Sequence, residues 1–267
     1  MARKAAAADV PLEDEPPSGE GDPNYVTSLA RGLSVILAFT GAKRTLTISD
    51  ISRETGLSRA AVRRLLLTLE KLGYVVNDGR AFRLLPKALS LGQAYISSTP
   101  LTSSAQELLD RLSEELHESV SITVFDEGNV TFVARSAGRR LVSANLTVGA
   151  RLPAFCTSLG RILLAHQTPD ALNRYFKSTQ LKRYTPTTEV REKKLRAILT
   201  EVKELGYSLT DSEFEVGLTS IAVAVPGPSG IEAALGVAAI RRPADALRDM
   251  APTLKLAARE LGYRLAY

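Results

Sequence analysis

Ile48-Ser49-Asp50-Ile51-Ser52-Arg53-Glu54-Thr55-Gly56-Leu57-Ser58-Arg59-Ala60-Ala61-Val62-Arg63-Arg64-Leu65-Leu66 is the stretch whose spacing decides how the chain is read. Small Ser52 is followed four positions later by Gly56 and six further on by branched Val62. A small side chain lets two helices cross closely, a glycine accepts the turn between them, and a branched residue fills the space they enclose. Thr47 and Ser49 can cap the helix that Gly56 ends, and Ser58 can cap the next one. That next helix, over residues 59–72, gathers Val62, Leu65, Leu66, Leu69 and Leu72 on one side. Arg59, Arg63 and Lys71 fall off that side, and Gly73 is the terminator.

Upstream, Leu29, Leu33, Ile36, Leu37 and Phe39 lie three or four apart, the pattern of a further helix that stops near Gly41. Downstream, Tyr74-Val75-Val76, the turn Asn77-Asp78-Gly79 and the run 80–84 predict a β-hairpin. Three helices and a hairpin in this order make a winged helix-turn-helix over residues 25–85. Charge follows the same boundary. Residues 1–24 hold two basic and six acidic side chains, residues 25–97 eleven and four, and residues 98–267 twenty-one and nineteen. The positive excess is therefore local, as expected of a surface that faces phosphates, although a solvated basic surface has the same count.

In such a module the third helix enters the major groove of double-stranded DNA. Arg59 and Arg63 are the candidate base readers, since arginine donates two hydrogen bonds to guanine. Ser58 either joins them or serves only as a cap. Arg64, beside the apolar stripe, is a phosphate contact or one half of an internal ion pair. Arg80 and Arg83 on the wing are phosphate or minor-groove candidates, with a solvated hairpin as the alternative. Ser49 is a phosphate donor or a cap.

Residues 1–24 are poor in large apolar side chains and read as a disordered tail, and residues 86–100 read as a helical linker opened by Pro86. The remainder, 101–267, mixes the two kinds of element. Residues 101–116, 153–166, 190–205 and 252–261 read as helices; 119–125, 130–136, 220–225 and 235–240 read as strands. The class is α+β. One cysteine, Cys156, forbids an intramolecular disulfide and reads as a buried apolar residue. Neither a signal peptide nor a membrane span is legible, so a cytoplasmic protein is expected. Catalysis is hard to assemble. His117 and His166 are the two histidines, and nucleophile-elbow, phosphate-loop and metal-ligand spacings are all missing, so no cofactor or metal is expected. A purely architectural DNA-binding protein is the other rival, but it leaves about 165 residues without a task.

Three stretches carry a family resemblance: Ser28-Leu29-Ala30-Arg31-Gly32-Leu33, the helix Leu57 to Leu66, and Phe82-Arg83-Leu84. They resemble the IclR-family bacterial regulators. So do Gly149-Ala150-Arg151-Leu152-Pro153-Ala154-Phe155-Cys156-Thr157-Ser158-Leu159-Gly160-Arg161 and Asp211-Ser212-Glu213-Phe214-Glu215-Val216-Gly217-Leu218-Thr219-Ser220-Ile221-Ala222. The resemblance implies a GAF-like effector-binding domain and a homodimer or dimer of dimers on palindromic operator DNA. It implies a small organic acid, aromatic or keto, as the signal. The run from Asn145 to Ser158 resembles the subgroup that controls protocatechuate, 4-hydroxybenzoate and β-ketoadipate catabolism. On this footing Thr157, Ser158, Asp211, Leu218 and Ser220 are effector-site candidates. Thr157 and Ser158 sit at a helix start whose free amides suit a carboxylate, or they merely cap and pack. Where relatives carry serines after the strand 235–240, this chain has Arg241-Arg242-Pro243, and Arg241 becomes a candidate carboxylate partner. Arg135 and Arg151 are candidates of the same kind.

Overall fold

The computed structural model describes residues 22–40, 45–138 and 146–266, and its contacts divide the chain into two compact units, Met1–Ala94 and Tyr95–Tyr267. The expected tail falls almost wholly outside the described residues, as do Gly41 and Asn145.

In the first unit the helices are α1 (Thr27–Leu37), α2 (Ile48–Thr55) and α3 (Arg59–Lys71), and the wing is β1 (Val75–Asn77) with β2 (Phe82–Leu84). Local chemistry sets the α2 and α3 boundaries. Thr47, not Ser49, caps α2, through a reciprocal box with Asp50 that satisfies two otherwise orphaned amides. Gly56 ends α2 at φ 68°, a left-handed conformation that costs glycine little. The Ser52 hydroxyl donates to the Leu57 carbonyl at 2.6 Å, tying the turn to the helix before it. Ser58 caps α3 by accepting from the Ala61 amide. The core is Val35, Leu46, Ile51, Val62, Leu66, Leu69, Val75 and Phe82.

Two sequence expectations change here. Leu29 and Leu33, assigned to the buried face of α1, are 62% and 46% exposed, and Val35 is the buried residue of that helix. Leu72 is also exposed, because it stands at the α3 C-cap, beyond the last turn that packs inward. The wing differs too. β2 begins at Phe82, so Arg80 lies in the connection, where the Asp78 side chain accepts from the Ala81 amide. Leu46 adds a bridge to Phe82 that the sequence did not announce.

Helix α4 (Leu89–Ser98) follows a 3-10 turn at Pro86–Ala88 and spans the division between the units. None of its side chains is buried. Thr99 interrupts it, and Pro100 opens α5 (Pro100–Leu116) at a position where no amide is needed.

The second unit is a six-stranded antiparallel sheet in the order β5-β4-β3-β8-β7-β6. Its strands are β3 (Ser119–Asp126), β4 (Asn129–Ser136), β5 (Arg151–Pro153), β6 (Ser208–Asp211), β7 (Leu218–Gly227) and β8 (Gly230–Ile240). Helices α6 (Ser158–Ala165), α7 (Pro169–Ser178), α8 (Glu192–Leu205), α9 (Ala244–Arg248) and α10 (Ala251–Ala266) complete it. Helices α5 and α10 pack on the face that carries Val120, Ile122, Ile221, Val223, Leu235 and Val237; α6, α7 and α8 cover the face that carries Phe132, Ala222 and Ala234. The helix expected from residue 153 starts at Ser158, because Thr157 is the cap and Arg151–Pro153 pairs with β4. Short polar α7, α9 and β6 were not anticipated.

Helix α6 lies close to the chain before it. A Cβ at Gly160 would run into the Ala154 backbone, which cannot yield as a flexible side chain does. Gly160→Ala is therefore expected to cost about 3 kcal/mol, the upper end for overpacking. A thermal melt should register this as a fall of roughly 6–12 °C; an unchanged melting temperature would mean that α6 stands further off.

Candidate functional site

Two regions carry functional chemistry, one in each unit. In the first, Arg59 and Arg63 are one turn apart on α3 and exposed, opposite the buried Val62, Leu66 and Leu69. Arg64 is exposed as well. Arg83 is exposed on β2, Arg80 in the wing connection, and Ser49 in the first turn of α2. Among the described residues none of these five arginines pairs with a carboxylate, which disposes of the internal ion pair for Arg64. The Ser58 hydroxyl accepts as a cap and keeps its own proton to donate.

In the second unit a cavity opens between the sheet and the start of α6. Its cavity volume is about 40 Å³, and it opens to solvent. Strand register explains its floor. Arg135 on β4 pairs with Ser121 on β3, and Ser121 with Gly236 on β8. Ser119 pairs with Ala238, Ala238 with Ser220 on β7, and Ser220 with Thr210 on β6. All seven line the cavity. Small side chains hold the space open, and at Gly236 a Cβ would come within 2.8 Å of the Leu159 side chain. Phe132 lines the same cavity although it stands three residues from Arg135, an interval that normally puts two strand residues on opposite faces. A register shift opposite Ile122/Thr123 leaves Val133 as the extra residue and brings both side chains to one face.

The walls are apolar: Leu146, Leu152, Leu159, Phe214 and Leu218, with Cys156 beside them. At one end the Ser158 hydroxyl donates to Ser220 Oγ at 2.8 Å, and Ser220 Oγ lies 2.9 Å from Thr210 Oγ1. At the other, Ser119 Oγ accepts from the Gly138 amide at 3.1 Å, which leaves its own proton to donate. Arg135 is the one cationic side chain among the described residues that line the cavity. Its Nε is buried and has no hydrogen-bond partner, and burial lowers its pKa. A guanidinium stays charged regardless, so the site contains a poorly compensated positive charge.

Of the sequence candidates, Thr157, Ser158, Leu218 and Ser220 line the cavity. Asp211 does not: it is exposed and accepts from the Ser212 and Thr219 hydroxyls. Arg241 does not either. β8 ends at Ile240, the chain turns at Arg241 with φ 53°, and the side chain is exposed. Arg242 pairs instead with buried Glu118 at 2.6 Å. Arg151 reaches Asp126 and Glu127, outside the lining. His117 and His166 stand at helix C-caps and do not line this cavity. Ser119, Ser121, Thr210, Phe132 and Phe214 were not singled out from sequence. The Ser-x-Ser alternation of a buried strand was the available signal for the first two.

Comparison with known proteins agrees with this geometry. Residues 93–262 match the family described as bacterial transcriptional regulator IclR C-terminal, and residues 28–79 match the IclR helix-turn-helix domain. The chain belongs to the IclR family. It is a DNA-binding transcriptional regulator by that membership. The Pca regulon regulatory protein of Pseudomonas putida is 50% identical over 219 residues, covering 81% of this chain and 75% of that one. The p-hydroxybenzoate hydroxylase transcriptional activator of Acinetobacter baylyi is 35% identical, covering 78% and 79%. Among solved structures, an IclR homologue from Microbacterium hydrocarbonoxydans complexed with 4-hydroxybenzoate superposes with a TM-score of 0.78 at 26% identity. That alignment covers 89% of this chain and 98% of the homologue.

Two measurements check the chemistry assigned to these regions. Arg63→Ala should weaken operator binding by about 1–3 kcal/mol and relax preference at one base pair, while leaving non-specific binding nearly intact. A uniform loss across sequences would make Arg63 a phosphate contact instead. Burial pushes the Cys156 thiol up to about 12. Folded protein should therefore resist iodoacetamide at pH 8 and react once unfolded; brisk labelling of the native form would contradict that burial.

Proposed function

We propose that the cavity of the second unit is the effector site, that it takes a small aromatic monocarboxylic acid, and that its occupancy controls operator binding by the winged helix. The observation that carries this reading is Arg135, a half-buried arginine whose Nε is buried without a hydrogen-bond partner, at the edge of an apolar, hydroxyl-floored cavity. A carboxylate there gains a charge-assisted hydrogen bond and relieves an uncompensated charge. Ser119 and Ser121, one strand away, add hydroxyl donors. The ring fits between Phe132, Leu159, Phe214 and Leu218, and a ring hydroxyl meets the chain Ser158, Ser220, Thr210. From β4 to β7 is three strand spacings, roughly 14 Å between backbones. One cation among the described lining residues favours a monoanion over a dicarboxylate.

The names of the relatives support a role in aromatic-acid catabolism. We read the protein as a non-catalytic cytoplasmic regulator that acts as a homodimer or dimer of dimers. Val26, Leu29 and Leu33 leave an apolar stripe along exposed α1, and a second copy of the winged helix would cover it. Paired winged helices fit a palindromic operator with half-sites about one helical turn apart. Ligand binding then acts by favouring one spacing of the pair, because an effector moves such an equilibrium only by its difference in affinity for the two states.

A thermal-shift series with 4-hydroxybenzoate, protocatechuate, benzoate and β-ketoadipate tests the assignment. A true effector at one hundred times its Kd adds about 2.7 kcal/mol, which is about 5–10 °C here. The hydroxylated aromatic acids should give that shift, benzoate less and β-ketoadipate least. Arg135→Met should abolish the shift while leaving the unliganded protein as stable or more stable, since it removes an uncompensated charge. A preserved shift in that variant would move the carboxylate elsewhere, and a larger shift with β-ketoadipate would overturn the monoacid reading.

A further inference from the structure

A buried ion pair lies behind the cavity without lining it. Arg161, one turn after Ser158 on α6, has a side chain 3% exposed. Its Nη1 and Nη2 donate to Glu213 Oε1 and Oε2, each at 2.6 Å, and its Nε donates to the Phe155 carbonyl at 2.8 Å. Glu213 belongs to the connection between β6 and β7, and the next residue, Phe214, forms part of the cavity wall. The same connection is held from a second side. Thr185 and Thr187 hydroxyls donate to the Ser212 carbonyl at 2.6 and 2.7 Å, Thr188 donates to the Glu213 carbonyl at 2.6 Å, and the Glu189 amide donates to Glu213 Oε2. Tyr184 packs on Phe214, with ring centroids 5.4 Å apart, and on Phe155 at 6.3 Å.

We infer that Arg161 and Glu213 are positioning residues that fix Phe214 as the wall against which the effector ring packs, so that ring recognition depends on a latch the ligand never touches. The inference rests on the effector-site reading above and adds the reason for an ion pair in this place. A planar fork bonded to both carboxylate oxygens allows one distance and one orientation between α6 and the connection. An apolar pair of similar volume is often as stable as a buried ion pair but lacks that geometric demand. Stability and wall position can therefore be separated experimentally.

The chain contains no tryptophan, so Phe214→Trp places a single fluorescent reporter on the wall. In that background the variants are Arg161→Lys, which keeps the charge and loses the fork, and Arg161→Met with Glu213→Leu, which removes both charges. Acrylamide quenching without ligand reads the wall, and titration with 4-hydroxybenzoate reads recognition. Both variants are expected to fold, the double change with a lowered melting temperature because the Phe155 carbonyl and Glu189 amide lose their partners. Quenching should rise at least twofold and affinity should fall about tenfold, with less loss in Arg161→Lys. Folded variants that keep the parental quenching would overturn the latch whatever the ligand does. Increased quenching with parental affinity would overturn its role in recognition. If the protein with Phe214 intact binds none of the aromatic acids while quenching still rises in the variants, the effector reading fails and the latch on Phe214 stands.

Discussion

In an antiparallel sheet covered on both sides, the size of the side chains on each face dictates how near a helix can come, and in the C-terminal unit the two faces are unequal. Toward α5 and α10 the central strands present Val120, Ile122, Ile221, Val223, Leu235 and Val237. Branched chains there fill the layer at the density of an ordinary core. Toward α6 the same strands present Ser119, Ser121, Ser220, Ala222, Ala234, Gly236 and Ala238, which cannot fill an equal depth. Two outcomes follow from the period of two. Where α6 descends onto the small residues the contact is close, as between Leu159 and Gly236, and where it stands away a cavity remains. The cavity is thus a property of one face of the sheet, held open by the packing of the other.

The N-terminal unit is organised by shorter-range forces. A capping box at Thr47 and Asp50, a left-handed glycine, a serine hydroxyl on the Leu57 carbonyl and a serine cap place α2 and α3 within about twenty residues. Because its core is confined to one side of α3, the arginines on the other side need not compete for internal partners. Positive charge is concentrated in residues 25–97 and nearly balanced in residues 98–267, so attraction to phosphates acts on the helix-turn-helix and its wing.

Such local devices are the reason the helix-turn-helix was legible in the sequence. The β3 to β4 hairpin was legible for a similar reason, since its turn residues and alternation fall within one window. Periodicity misled in α1, where Leu29 and Leu33 have the spacing of a core stripe but no core of their own unit covers them. Periodicity reports that a face is apolar and is silent about what lies against it. The effector region was half legible. Thr157, Ser158, Leu218 and Ser220 came from the motifs, whereas Arg241 and Arg135 were indistinguishable as arginines at strand ends. What separates them is a left-handed turn at one, just past the β7–β8 pairing, and a strand bulge at the other, inside the β3–β4 pairing. Apolar alternation announces neither.

The three hydroxyls of Ser158, Ser220 and Thr210 behave differently from the arginine across the cavity. A guanidinium only donates, and its charge is permanent. A chain of hydroxyls can reverse: each proton rotates about its C–O bond, and the run that offers a lone pair to a phenol can offer a proton to a ketone or an ether without moving a heavy atom. In the proposed effector site one end would therefore select by sign of charge and the other by position alone.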